Sequence, residues 1–231
     1  PVILGGPGYL EYEELFEAGA DIVARGEGEE TLKEVVRKVQ KNDHDWSSVE
    51  GIYYKEEDRI AATKERTPIQ NLDENAWPVR DNLLPIDIYF DNSKTLYSED
   101  SFKSSKRIDL NGSLGCSLVC RYCWHLGTTG DMVVSKNEAG ENDVQFTYGR
   151  NIRYHSARYI VDMVKVLVDK YSVDFVSFID ENMMTMHVAS RKKWLYELSE
   201  LWIKEGLQPK DRRKNKKKYK AYKNCDGVSW G

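Results

Sequence analysis

Cysteine is scarce in this chain, with four residues in 231, and residues 1–115 contain none. So few thiols exclude a disulfide-stapled secreted scaffold, which needs dense, paired cysteines. Histidine is equally rare: His44, His125, His155 and His187 are scattered, so no His-rich metal tract exists, and the four are assigned to surface or packing positions. No apolar run approaches the ~18–20 residues that a helical membrane span requires. The opening Pro1-Val2-Ile3-Leu4 lacks the basic n-region of a secretory signal, so a reducing cytoplasmic setting is expected. At 40% hydrophobic and 31% charged residues, the composition excludes intrinsic disorder and suits one large or two small globular domains. A net charge of −4 argues against nucleic-acid binding over the whole surface. Lys210 to Lys220, KDRRKNKKKYK, is a local exception with eight basic residues against one acidic. A nucleic-acid contact is one reading of it; a solvated loop after an amphipathic helix is the favoured one.

What the chain does have is a concentrated thiol motif. Gly115-Cys116-Ser117-Leu118-Val119-Cys120-Arg121-Tyr122-Cys123-Trp124 spaces three cysteines as C-x3-C-x2-C. Three thiolates on one loop can hold three irons of a [4Fe–4S] cube and leave the fourth iron open. An open coordination position marks a metal centre built for chemistry; a closed one is structural. Half of a zinc site is the competing reading, but zinc takes four ligands. Cys225 stands alone, reading as a small apolar strand residue, and His125 would crowd Cys123. Leu118, Val119, Tyr122 and Trp124 would shield a cluster from water.

Around the motif the periodicities alternate between strand and helix. Val2 to Leu4 reads as a buried strand ending in Gly5-Gly6-Pro7-Gly8, and residues 10–18 as a short helix. Asp21 to Arg25 is a second strand ending in Gly26-Glu27-Gly28, and Thr31 to Lys41 a helix presenting Leu32, Val35, Val36 and Val39. Gly51–Lys55 and Arg59–Thr63 form a hairpin. Residues 1–64 therefore read as part of a doubly wound α/β domain, where ligands bind at strand carboxyl ends beside glycine turns. Tight turns would explain those glycines equally well. Residues 65–105 read as a linker and 106–231 as a second domain. In that domain, Lys106 to Gly112 is a strand, residues 131–150 an irregular insertion, 154–171 a helix and 173–179 a strand. A helix over 191–206 and a strand over 219–225 follow, giving the first three strands of a partial (β/α) barrel. Asp180, Glu181 and Asn182 stand at a strand end, where an ordinary turn is the alternative to a ligand contact.

The chain resembles the cobalamin-binding radical SAM proteins, a class including carbon methylases and the anaerobic magnesium-protoporphyrin monomethyl ester cyclase. The likeness rests on the cysteine run and on PVILGGP, DIVARGEGEETL, GIYY and NLDENAWPVRDNLLP. It implies that Cys116, Cys120 and Cys123 hold a [4Fe–4S] cluster whose open iron chelates S-adenosylmethionine (SAM). It places Tyr122 near the adenine, and Asp180, Glu181 and Asn182 near the SAM amino group or ribose. It sets Gly5, Gly6, Pro7, Gly26, Glu27 and Gly28 along the lower ligand and tail of cobalamin. The implied enzyme cleaves SAM reductively and functionalises an unactivated carbon of a small-molecule substrate by methylation or cyclisation. A flavodoxin or ferredoxin would supply the electron. The family's D-x-H-x-x-G cobalt-ligand motif is absent, so the chain is expected to be an internal piece of a longer protein.

Two other function classes remain. A non-catalytic iron–sulfur or zinc module would use the basic 210–220 run as its contact. A radical SAM methylthiotransferase acting on tRNA would carry further cluster cysteines before the motif, and this chain has none there.

Overall fold

A computed structural model of the chain describes residues 1–6, 9, 11–75, 77, 85–96, 106–116, 132–136, 139–140, 142–146, 152–180, 182–209 and 227–230. In chain order its elements begin with β1 (Ile3–Leu4), α1 (Tyr12–Glu17), β2 (Ile22–Ala24), α2 (Glu29–Gln40), β3 (Ile52–Glu56) and β4 (Arg59–Ala62). Next come α3 (Ile86–Leu96), β5 (Arg107–Leu110), β6 (Ser113–Leu114), β7 (Met132–Lys136), β8 (Asn142–Phe146) and β9 (Arg153–Tyr154). The series closes with α4 (Ala157–Tyr171), β10 (Phe175–Phe178), α5 (Met184–Ala189), α6 (Trp194–Lys204) and β11 (Ser229–Trp230). They divide into two compact units, Pro1–Gln70 with Leu118–Asn151, and Asn71–Ser117 with Ile152–Gly231.

Among the described residues of the first unit, one sheet runs in the order β1-β2-β3-β4. β1 and β2 are parallel, Ile3 opposite Ile22 and Leu4 opposite Val23, while β3 pairs antiparallel with β2 and β4. Successive strand residues point to opposite faces. Ile22 packs with Val35 of α2 and Ile52, whereas Val23 packs with Phe16 of α1 and Ala20. β2 is thus covered on both sides, which is why it reads as an unbroken apolar run.

On α2 the burial differs from the expected stripe. Val35 is fully enclosed, but Leu32, Val36 and Val39 are 50%, 44% and 38% exposed. The helix meets the rest of its unit through Thr31 and Val35 instead. Arg66, beyond β4, donates to Thr31 Oγ1 at 3.0 Å and to Glu34 at 2.7 Å, covering that side of the helix. Periodicity reports which residues share a face, not which face a partner covers. The segment expected as an irregular insertion contains the hairpin β7–β8, registered from Met132 opposite Phe146 to Lys136 opposite Asn142. Lys136 pairs with Glu13 of the same unit at 3.1 Å.

Among the described residues of the second unit, a parallel sheet runs β11-β10-β5. Phe175 to Phe178 align with Arg107 to Leu110, and Phe175 and Val176 with Ser229 and Trp230. The strand expected over 219–225 lies outside the described residues; β11 occupies the third place. α4 starts where Ser156 Oγ accepts from Tyr159 N at 3.1 Å, an N-cap that satisfies an otherwise orphan amide. Its stripe Ile160, Val161, Val164, Leu167 and Val168 is buried as the spacing predicts. On α6, Trp194, Leu198 and Trp202 repeat every four residues and enter the same core, beside Leu110 and Val176 of the sheet. α3 lies in the stretch read from the sequence as linker, and α5 between the strand end at Asn182 and the helix expected from 191, where no element was expected.

Candidate functional site

The second unit gathers its polar groups at one edge. β5 and β10 are parallel, so the segments leaving Leu110 and Phe178 emerge side by side at the carboxyl end of the sheet. That edge is where α/β proteins bind ligands, because loops there are free to vary over a rigid frame. The first segment leads through Gly112 and β6 to Cys116; the second carries Asp180 and Asn182.

Asp180 joins the two. Gly112 N–H donates to its Oδ1 and Oδ2 at 3.1 and 3.0 Å, and the Ser113 hydroxyl donates to Oδ1 at 2.5 Å. The Gly112 carbonyl accepts from His155 N at 2.8 Å. A Cβ on Gly112 would lie 2.7 Å from Met186 Sδ and 3.0 Å from its Cε, so a side chain there would require the Met186 thioether to move. Asn182 is engaged locally: its side-chain oxygen accepts from Met184 N at 3.0 Å, an Asx-type turn leading into α5.

Behind Gly112 stands a pair that sequence reasoning missed. His155 Nδ1 donates to Asp73 Oδ1 at 3.1 Å, and Ser156 N donates to the same oxygen at 3.0 Å. The imidazole stacks on Tyr159 and its carbonyl accepts from Trp194 Nε1 at 2.7 Å. Burial pushes the His155 pKa below its ordinary value, against the opposing pull of the Asp73 hydrogen bond and of the Asp73 and Asp180 charges. Asp73 and His155 are 82 residues apart, and no local pattern announces the contact.

Cys116 is a half-buried thiol three residues beyond Ser113. Cys120, Cys123, Tyr122 and Glu181 lie outside the described residues, as do His125, Cys225 and the basic run 210–220. Among the described residues, no three His, Cys, Asp or Glu side chains gather as metal ligands. The donor chemistry fits an iron–sulfur cluster: three soft thiols in one short run, the first on the carboxyl edge of a parallel sheet.

In the first unit the two glycine clusters share an edge. Gly5 follows β1 and Gly26 to Gly28 follow β2, at the carboxyl ends of adjacent parallel strands. Gly6 and Gly26 have φ of +77° and +70°, a region that side-chain-bearing residues rarely enter. A Cβ at Gly6, Gly26 or Gly28 would meet nothing within 4 Å, so the edge is open to a ligand's approach. Glu27 accepts from Ile69 N at 3.0 Å, which ties this turn to the segment after β4. Pro7 lies outside the described residues.

No protein-family model matches the chain. An uncharacterized methyltransferase of Pyrococcus horikoshii is 28% identical over 183 residues, spanning 78% of this chain and 33% of the relative. The radical S-adenosylmethionine methyltransferase TsrM from Kitasatospora setae, solved with tryptophan substrate and the SAM analogue aza-SAM, superposes with a TM-score of 0.54. That match has 15% identity and covers 85% of this chain and 32% of TsrM. Apo, selenomethionine-labelled OxsB, described as a cobalamin-dependent S-adenosylmethionine radical enzyme, gives 0.49 at 17% identity, over 89% of this chain and 24% of OxsB. The chain spans about a third of the length of the curated relative it matches. TsrM, itself a radical SAM methyltransferase, shares the fold of this chain, and the curated relative is named a methyltransferase. No helix among the described residues is long and apolar enough to cross a membrane.

Proposed function

We propose that this chain is part of a radical SAM enzyme that functionalises an unactivated carbon of a small-molecule substrate, by cobalamin-dependent methylation or cyclisation. The observation that carries the proposal is the C-x3-C-x2-C run, whose first cysteine, Cys116, follows β5 and β6 beyond the carboxyl end of the parallel pair β5–β10. The second unit is read as the opening strands of a partial (β/α) barrel, and the first as part of a doubly wound cobalamin-binding domain.

Cys116, Cys120 and Cys123 would hold the [4Fe–4S] cluster as thiolates, leaving one iron for SAM. When bound, the cluster supplies the electron that opens the SAM sulfonium, and cobalamin a methyl group or a further electron. The chain's own residues orient and enclose. Leu118, Val119, Tyr122 and Trp124 would keep water from the thiolates, which would raise the cost of charge there and help set the potential. Tyr122 would lie by the adenine. Asp180, Glu181 and Asn182 are the candidates to meet the amino group or ribose. Gly5, Gly6, Pro7, Gly26, Glu27 and Gly28 would let the cobalamin tail approach the backbone. A small low-potential redox protein such as a flavodoxin or ferredoxin would deliver the electron, in a reducing cytoplasm.

The test is an EPR spectrum of the anaerobically reconstituted, dithionite-reduced protein, recorded with and without SAM. A reduced-cluster signal that shifts on adding SAM is the expected result. A signal indifferent to SAM would reduce the site to a structural cluster, and bound zinc in place of iron would overturn the reading.

A further inference from the structure

Gly112 is held through both of its backbone polar groups, four residues before the first cysteine. Its N–H goes to Asp180 and its C=O to His155 N. Ser113, only 2% exposed, adds its hydroxyl to the same carboxylate. The partners occupy matching places: Gly112 stands two residues past β5 and Asp180 two residues past β10, with Leu110 opposite Phe178 in register. One carboxylate therefore ties the carboxyl ends of two adjacent parallel strands at the point where the chain departs toward Cys116. Two donors converge here, the Gly112 N–H shared between both carboxylate oxygens and the Ser113 hydroxyl on Oδ1. On one side the Met186 side chain packs against Gly112, its Sδ 2.7 Å from where a Cβ would stand.

We propose that Asp180 is a positioning residue: its carboxylate fixes the take-off of the cysteine loop, and with it the place of Cys116, rather than contacting SAM. This deepens the reading above and rests on it for the cluster, but the clamp itself is a property of the chain alone. Both Asp180 oxygens are engaged by the neighbouring segment, which is what a strut requires and a ligand contact does not.

The experiment uses the whole chain and the variants Asp180→Asn and Ser113→Ala. In the metal-free protein, amide hydrogen exchange over residues 111–116 and the alkylation rate of Cys116 by iodoacetamide are followed by mass spectrometry. Asp180→Asn is expected to speed exchange at Gly112 by roughly tenfold or more, as loss of a charge-assisted hydrogen bond implies, and to change the Cys116 rate in parallel. Ser113→Ala, which removes one donor only, should move both in the same direction by less, and serves alone if Asp180→Asn does not fold. Iron retained under chelator challenge should fall in the same order. Wild-type exchange and alkylation in the variants would overturn the clamp, and so would a loss of SAM affinity with exchange unchanged. If the wild-type chain takes up no iron while exchange and alkylation respond as expected, the cluster reading fails and the clamp stands.

Discussion

The His155 ring lies parallel to that of Tyr159, centroids 4.1 Å apart and planes 6° from each other, while its Nδ1 donates to Asp73. The residue thus locks the start of α4 to the segment after Gln70 and, through its backbone N–H, to Gly112.

Burial of this histidine makes the second unit acid-sensitive, although its contact with Asp73 opposes the effect. Burial holds the folded His155 pKa below the ordinary value of 6.5, so the unfolded chain takes up its proton first as pH falls. The contribution is full above about pH 6.5 and is lost as pH drops from there toward the folded value. The unfolding free energy from urea titrations should fall as pH drops through that window and level off below it. His155→Gln should flatten this step.

Trp194 offers a sharper measure of the same junction, being buried and donating to the His155 carbonyl. Trp194→Phe should cost about 1–3 kcal/mol, chiefly by leaving a carbonyl unsatisfied. Trp194→Ala should cost about 3–5 kcal/mol because a cavity is added. Equilibrium urea unfolding separates the two.

Gly112→Ala forces a methyl against Met186, a fully buried side chain. A loss of about 1–3 kcal/mol is expected, as for overpacking generally. Met186→Val in the same chain should recover part of it, giving a favourable coupling in a double-mutant cycle.

Glu205 accepts from Arg158 and Lys165 of α4, each at 2.9 Å, and the Arg158 hydrogen bond is the larger reason its carboxyl lies below the ordinary value. All three side chains are partly open to water. Glu205→Gln should therefore cost no more than about 1 kcal/mol, and the difference should shrink in high salt, as thermal unfolding at two ionic strengths would show.

The exposed apolar face of α2 makes the opposite prediction. Leu32→Lys with Val36→Glu should leave stability within about 0.5 kcal/mol of the parent and reduce light scattering on concentration. A large destabilisation would mean that this face is enclosed after all.

Local patterns were a good guide where the physics is local. α4 is legible because Ser156 caps it and its apolar residues recur at helical spacing, and β2 because burial on both faces leaves an unbroken apolar run. The C-x3-C-x2-C run is a matter of spacing alone and needs no structure to be seen. α5 escaped because it lasts only six residues and starts without a Ser, Thr or Asp cap. The β7–β8 hairpin escaped because it sits in a polar stretch with weak alternation.

Thiol chemistry, the alternation of strand and helix, and the glycines at strand ends were determined by the sequence by itself, since each follows from residue type and short-range spacing. What only the tertiary structure decided is which distant groups meet. Asp180 reads as a strand-end turn, yet it receives Gly112 and Ser113 across a gap of 68 and 67 residues. Asp73 reads as linker, yet it orients a buried histidine. Leu32, Val36 and Val39 share a helix face, yet that face stays open. The parallel register of β5 and β10 is the physical reason for the first: it brings two strand ends together, and a carboxylate there takes whatever donors the neighbouring strand presents.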